Sequence, residues 1–328
     1  MTDKYDVAAI GNAIVDILAK VSDDFIKKHA LEKGSMSLID ENQADELYSD
    51  MPTAIEISGG SAANTLAGVA SLGGKAAFIG KVKNDDLGRI FKHDLQSIGV
   101  DYNTAPATEG PATAKCLVVV TPDAERTMST FLGATRGITE NDIDENIIAQ
   151  SKVVYLEGYL WDEEHAKNAM RKAVDFARKH NKKVALSLSD PFCVDRHRDE
   201  FYELIKDGVD ILFANEEEIK KLTQQDSVES AAKNISNLCQ IAAITLGPKG
   251  AIILEGSKQE DISAVSNLNV VDTTGAGDLF AAGFLFALTQ GKDVKTCGKF
   301  GVLSASEIIQ HMGARPETNL SEYVKNAA

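Results

Sequence analysis

Short, mainly apolar runs of β-forming residues recur along the chain at 7–10, 76–79, 153–156, 184–188, 211–213, 243–246 and 251–254. A strand buried on both faces reads this way, as in a parallel sheet covered by helices. Between these runs the period lengthens. Leu87, Ile90, Phe91, Leu95 and Ile98 are spaced as one face of a helix over 86–98, and Ala166, Ala169, Met170, Ala173, Val174 and Ala177 as one face over 163–180. The stretches 228–238 and 279–288 follow the same period. Strands alternating with helices imply βαβ units, and hence an α/β fold: a mainly parallel central sheet between two helical layers.

Two regions break the alternation, at about 19–51 and 104–131. They hold strand-like runs at 37–39, 114–120 and 126–131 that fit no strand–helix–strand unit. We read them as insertions forming a small β-sheet lid over the end of the main sheet, where it would exclude water from a reactive site. No Pro- or Ser-rich linker separates two bodies, so residues 1–328 are expected to form one domain carrying this lid.

Composition narrows the function classes. At 328 residues, 44% apolar and 25% charged, the chain has ordinary globular character and length for a full core. Its net charge of -15, from 49 acidic and 34 basic side chains, disfavours nucleic acid and anionic membranes as partners. Cys116, Cys193, Cys239 and Cys297 form no CxxC pair, so neither zinc nor a disulfide framework is expected. The apolar stretch 7–18 is interrupted by Asn12 and Asp16, with no basic region before it, and no run approaches the roughly 20 residues of a membrane span. A cytoplasmic location is the expectation.

The most informative stretch runs from Asp272 through Thr273, Thr274, Gly275, Ala276, Gly277 and Asp278 to Leu279 and Phe280. A strand-like run gives way to a small-residue turn and then an apolar helix. Glycines permit close approach of a ligand, and free N–H groups at a helix start attract an anion. Asp278 beside a bound phosphate would be repelled unless its task is to take a proton from an attacking nucleophile; a stabilising first-turn acid is the plainer alternative. Phe280 stands where a GxGxxG fingerprint needs its last glycine, and the chain has no GxxxxGK[ST] segment.

This segment resembles the C-terminal signature of the ribokinase-like (PfkB) family of sugar and nucleoside kinases. Ser58-Gly59-Gly60-Ser61-Ala62-Ala63-Asn64, followed by Leu72-Gly73-Gly74, resembles the family's N-terminal signature. The likeness extends over about 6–313. It implies the ribokinase-like α/β/α sandwich, ATP as phosphate donor and Mg²⁺ as the accompanying ion. It also implies Asp278 as catalytic base and the backbone of Thr274, Gly275, Ala276 and Gly277 as an anion hole, in a reaction governed by positioning and electrostatics. Asn215 and Glu218 match the family's NxxE motif and by that resemblance would help hold Mg²⁺, although three consecutive glutamates also suit a helix N-terminus. Asn12, Asp16, Gly59, Gly60, Ser61 and Asn64 match positions that bind the substrate's hydroxyls; turn chemistry is the alternative for each. Arg126 would swing toward the phosphates from the lid, or simply be solvated. Thr245, Gly247 and Gly250 resemble the loop supporting the nucleotide, and Gly313 would flank its adenine.

Within the family, Gly11–Ile17, 24–31 and 187–192 resemble segments of adenosine kinases, with Asp190 where an alanine is usual. Met36, Leu38 and Leu160, with Tyr159 and Trp161 beside it, would form an apolar slot for a purine, or be core packing. The expected reaction is ATP-dependent phosphorylation of the hydroxymethyl group of a nucleoside, adenosine first. A plain sugar such as ribose, fructose or 2-keto-3-deoxygluconate is the alternative, and a non-catalytic sensor of either ligand is a third reading. The sequence leaves monomer and homodimer open, since the lid sheet has edges that could pair.

Overall fold

The computed structural model describes residues 3–123 and 125–327; Ala124, inside the second expected insertion, lies outside them. Fourteen strands follow in chain order: β1 (Tyr5–Ile10), β2 (Ile14–Lys20), β3 (Met36–Leu38), β4 (Ile55–Gly59), β5 (Ala76–Ile79), β6 (Val100–Tyr102), β7 (Ala114–Val120), β8 (Arg126–Phe131), β9 (Ser151–Glu157), β10 (Lys183–Ser187), β11 (Ile211–Asn215), β12 (Ile241–Thr245), β13 (Ala251–Glu255) and β14 (Lys258–Ile262).

Nine of them form one sheet in the order β14-β13-β12-β11-β10-β9-β1-β5-β6. From β12 to β6 every pairing is parallel; β13 and β14 turn back antiparallel at one edge. The interior strand β1, between β9 and β5, is buried at every residue, which is why its sequence shows no alternation. One apolar core fills the face carrying the helices Ser61–Ser71, Ala276–Thr289 and Val294–Ile308, and a second fills the face under Glu164–Lys179 and Pro191–Gly208. This is the α/β/α sandwich the sequence predicts. No helix among the described residues is long and apolar enough to cross a membrane.

The other five strands form a second sheet in the order β3-β8-β7-β2-β4. It reaches beyond the first expected insertion, 19–51: β2 and β4 flank that stretch on either side and pair antiparallel, Ile14 opposite Gly59. Their sequences, IVDILAK and IEISG, mix polar residues into the apolar pattern because one face meets a cleft and the other the core.

Two helices set the site. Ser61–Ser71 and Ala276–Thr289 touch at Gly68, where a Cβ would lie 2.6 Å from that of Ala282. The second helix is apolar on all sides, as befits a helix buried between sheet and neighbours. Their close crossing brings the N-terminal turns of both helices together, although 217 positions separate Ser61 from Asp278.

Candidate active site

A cleft of about 720 Å³ lies between the C-terminal ends of the parallel strands and the smaller sheet. Strand ends of this kind are the usual ligand position in open α/β sheets. Asn12 follows β1, Glu157 ends β9 and Tyr159 follows it, Ser189 and Asp190 follow β10, Asn215 ends β11 and Thr245 ends β12, and all line the cleft. The smaller sheet contributes alternate residues, as period two requires: Ile14 and Asp16, Met36 and Leu38, Cys116 and Val118, Arg126, Met128 and Thr130.

Asp278 occupies the first turn of Ala276–Thr289, beneath the cleft. Ser61 Oγ donates to one carboxylate oxygen at 2.6 Å and Asn64 Nδ2 to the other at 3.2 Å. Burial raises its pKa, against the opposing effect of those two hydrogen bonds and the Arg315 charge. Gly275, at φ +77°, caps the helix in the left-handed region that glycine tolerates. The expected anion hole is narrower than Thr274 to Gly277. The Thr274 N–H is taken by Asp272 Oδ1 at 2.9 Å, and the Ala276 N–H by the Thr273 carbonyl at 3.2 Å. The N–H groups of Gly275 and Gly277, at the start of the helix beside the cleft, find no acceptor among the described residues.

Arg126 is not solvated. It reaches from β8 to form an ion pair with Asp272 and donates to Thr274 Oγ1 at 3.2 Å, so the lid is tied to the glycine turn. Burial acts to raise the Asp272 pKa, but hydrogen bonds from Gly313 and Thr274 together with Arg126 hold it below the usual range.

At the other glycine turn, Gly60 has φ +93°, and a Cβ there would lie 2.3 Å from the Asn12 carbonyl. Gly59 lies against the Asp16 carboxylate, where a Cβ would come within 2.3 Å of Oδ2. The Asp16 carboxyl makes no hydrogen bond among the described residues, lines the cleft, and is pushed up to about 6 by burial. Asn12 is held from behind: its Nδ2 donates to Glu157 Oε1 at 2.6 Å and its Oδ1 accepts from Thr135 at 3.1 Å. Glu157 also accepts the Ala62 N–H at 2.8 Å, and burial raises it to about 7. Sequence reasoning missed Glu157; a polar residue ending an otherwise apolar run was the available signal.

Asn215 and Glu218 line the cleft but grip each other. The Asn215 side chain donates to Glu218 Oε1 at 2.6 Å and accepts the Glu218 N–H at 2.9 Å, a capping box. Burial, with Asp190 and Glu217 adding to it, raises the Glu218 carboxyl to about 7. No group of three metal-binding side chains occurs among the described residues. Glu218 and Asp190 both line the cleft, and carboxylate oxygens are the donors a hydrated Mg²⁺ takes.

Leu160 is a correction. It is 4% exposed and packs into the core, because the 3-10 turn Gly158–Asp162 sends successive side chains in different directions. Tyr159 faces the cleft instead, and Trp161 is buried with its N–H on Glu200. Met36 and Leu38, 49% and 62% exposed, form an open apolar wall. Gly247, Gly250 and Gly313 stand outside the cleft wall. The first two close the turn after β12, and the Gly313 N–H donates to Asp272 Oδ2 at 3.0 Å.

The model of the pfkB family of carbohydrate kinases matches residues 35–320. Among solved structures, a probable sugar kinase from Rhizobium etli CFN 42 is 48% identical, with a TM-score of 0.91, covering 100% of this chain and 99% of its own. An adenosine kinase from Sinorhizobium meliloti is 47% identical, also at 0.91, covering 99% and 100%. The 5-dehydro-2-deoxygluconokinase of Bacillus subtilis is 26% identical over 93% of this chain and 90% of its own.

Proposed function

Because the chain belongs to the pfkB family of carbohydrate kinases, we propose that it transfers the γ-phosphate of ATP to the hydroxymethyl group of a nucleoside, adenosine in the first place. The observation that carries this reading is Asp278: a carboxylate held by Ser61 and Asn64 beneath the same cleft into which Gly275 and Gly277 turn free N–H groups. The substrate hydroxyl oxygen attacks the γ-phosphorus and forms the new O–P bond. The P–O bond to ADP breaks with its electron pair on the ADP oxygen, and the hydroxyl proton passes to Asp278. Gly275 and Gly277 donate to the oxygens of the transferring group, where charge gathers. Asp16 and Asn12 take the vicinal hydroxyls of the sugar, a carboxylate being able to accept two at once. Met36, Leu38 and Tyr159 offer the base an apolar wall. Asn215 and Glu218 would help hold Mg²⁺, which would supply charge neutralisation to the phosphates. The 47% identity to an adenosine kinase supports the nucleoside.

A sugar substrate is the second reading. It is favoured by Glu157, whose buried carboxylate reaches the cleft beside Asn12 and adds polar capacity where a sugar's further hydroxyls would lie. The 48% identity to a probable sugar kinase supports it equally. ADP release from Mg·ATP separates the two, with adenosine, inosine, guanosine, ribose, fructose and 2-keto-3-deoxygluconate as acceptors. A signal selective for adenosine is expected, and a signal with a sugar alone discards the nucleoside. In either case Asp278→Asn should fold and bind its acceptor while losing on the order of 100- to 10,000-fold in turnover; near-normal turnover would remove the assigned base.

A further inference from the structure

Between residues 313 and 315 the chain crosses from one glycine turn to the other. The Gly313 N–H holds Asp272 at the start of the anion-facing turn. Ala314 then lies against Gly275, whose added Cβ would meet the Ala314 Cβ at 2.9 Å. Arg315 reaches the substrate-facing turn. Its Nε and Nη2 donate to the Ser58 carbonyl at 3.0 and 2.7 Å, Nη2 also to Ser58 Oγ at 2.9 Å, and Nη1 to the Ala63 carbonyl at 2.9 Å. Ser58 is the last residue before Gly59, and its own N–H is fixed by Asp94 at 2.8 Å. Ala63 precedes Asn64, one of the two donors to Asp278. One guanidinium thus binds the end of β4 and the first turn of Ser61–Ser71, while its backbone neighbours hold the opposite turn.

We propose that Arg315 is a positioning residue for phosphoryl transfer, gripping the Ser58 and Ala63 carbonyls so that the Gly59–Gly60 turn and the Ser61 and Asn64 hydrogen bonds stay aligned with Asp278. A planar fork of donors spans two carbonyls at fixed angles, which an ammonium on a flexible stem does not. The charge has a second effect. Arg315 is partly buried and makes no ion pair among the described residues, and desolvation lowers its pKa only to about 10, so it stays protonated. The acids whose fields reach it are Asp94, Asp16 and Asp278, and the last two face the cleft. A fixed positive charge there opposes the burial that drives both cleft acids toward their neutral forms.

The kinetic part of this inference rests on the kinase reading; the electrostatic part does not. Two measurements keep them apart. Turnover is followed in Arg315→Met, Arg315→Lys and Arg315→Ala with the acceptor that the wild type uses. The carboxyl carbons of Asp16 and Asp278 are titrated by NMR in ligand-free, ¹³C-aspartate protein. Arg315→Met should lose roughly 100-fold in kcat, as a small misplacement of reacting groups does. Its two titration midpoints should rise. Arg315→Lys should keep midpoints close to wild type while losing on the order of 10-fold in kcat, charge without fork. Added guanidinium ion should restore part of the turnover of Arg315→Ala, which a merely structural role would not allow. Wild-type kcat and unmoved midpoints in Arg315→Met would overturn the inference. If the wild type phosphorylates none of the acceptors, both substrate readings fail, and the titrations still decide: unmoved midpoints overturn the electrostatic role and raised ones uphold it. Should Arg315→Met not fold, Arg315→Lys carries the kinetic test, and no loss of kcat there counts against the fork.

Discussion

A carboxyl with no hydrogen bond inside the protein, set between apolar strands, resists ionisation, and Asp16 sits near 6 for that reason instead of at the usual 3.8. The gap is worth at most about 3 kcal/mol. Its sign follows from linkage: the folded protein binds this proton more tightly than the unfolded chain does. The stability it contributes is present in full below pH 3.8 and is lost as pH rises through about 6. Asp16→Asn should therefore raise the melting temperature at pH 8, with the gain shrinking toward pH 4, and calorimetry across that range checks it. The same residue predicts the reverse trend for use. Acceptor KM should climb as pH falls through about 6, where the proton occupies the oxygens that bind hydroxyls. The residue scale is also where the sequence was least legible. Glu157 and Arg315 meet partners 145 and 257 positions away, so nothing near them in sequence marks their task. Tyr159 and Leu160 are adjacent, and only the turn decides which one faces the cleft.

Seven of the nine strands of the large sheet were legible because burial on both faces leaves a nearly continuous apolar run; the edge strands β6 and β14 were not, β6 being three residues long and β14 reading KQEDI with most of its residues exposed. The strands β2 and β4 were not, because Asp16, Glu56 and Ser58 interrupt them, and Asp16 does so on behalf of the cleft. Both glycine turns could be read from residue type, since a backbone held at positive φ or pressed against a neighbour has few other solutions. Gly60 meets both conditions, with φ +93° and the Asn12 carbonyl 2.3 Å from any added Cβ. Gly60→Ala should cost about 2 kcal/mol in denaturant unfolding. It should weaken acceptor binding by more than the stability loss implies, because Asn12 must move. Unchanged acceptor affinity in a folded Gly60→Ala protein would mean that this turn does not grip the substrate.

The lid and the body meet through the Arg126–Asp272 pair, with Thr274 as a second acceptor for the same arginine. Removing one partner leaves a buried charge alone, a loss of about 3–5 kcal/mol when the surroundings stay closed. A hinged lid has another response, which is to open. Arg126→Gln should accelerate amide exchange in β8 well above that in β1, and uniform acceleration would place the loss in global stability instead. The same geometry has a temporal side. Ser61 and Asn64 emerge in translation more than 200 positions ahead of the Asp278 they hold. Until the Gly275 turn is made, Ser61 and Asn64 lack the carboxylate they hold, and the helix 61–71 lacks the neighbour that crosses it at Gly68, so the site and the core around it close in one late event.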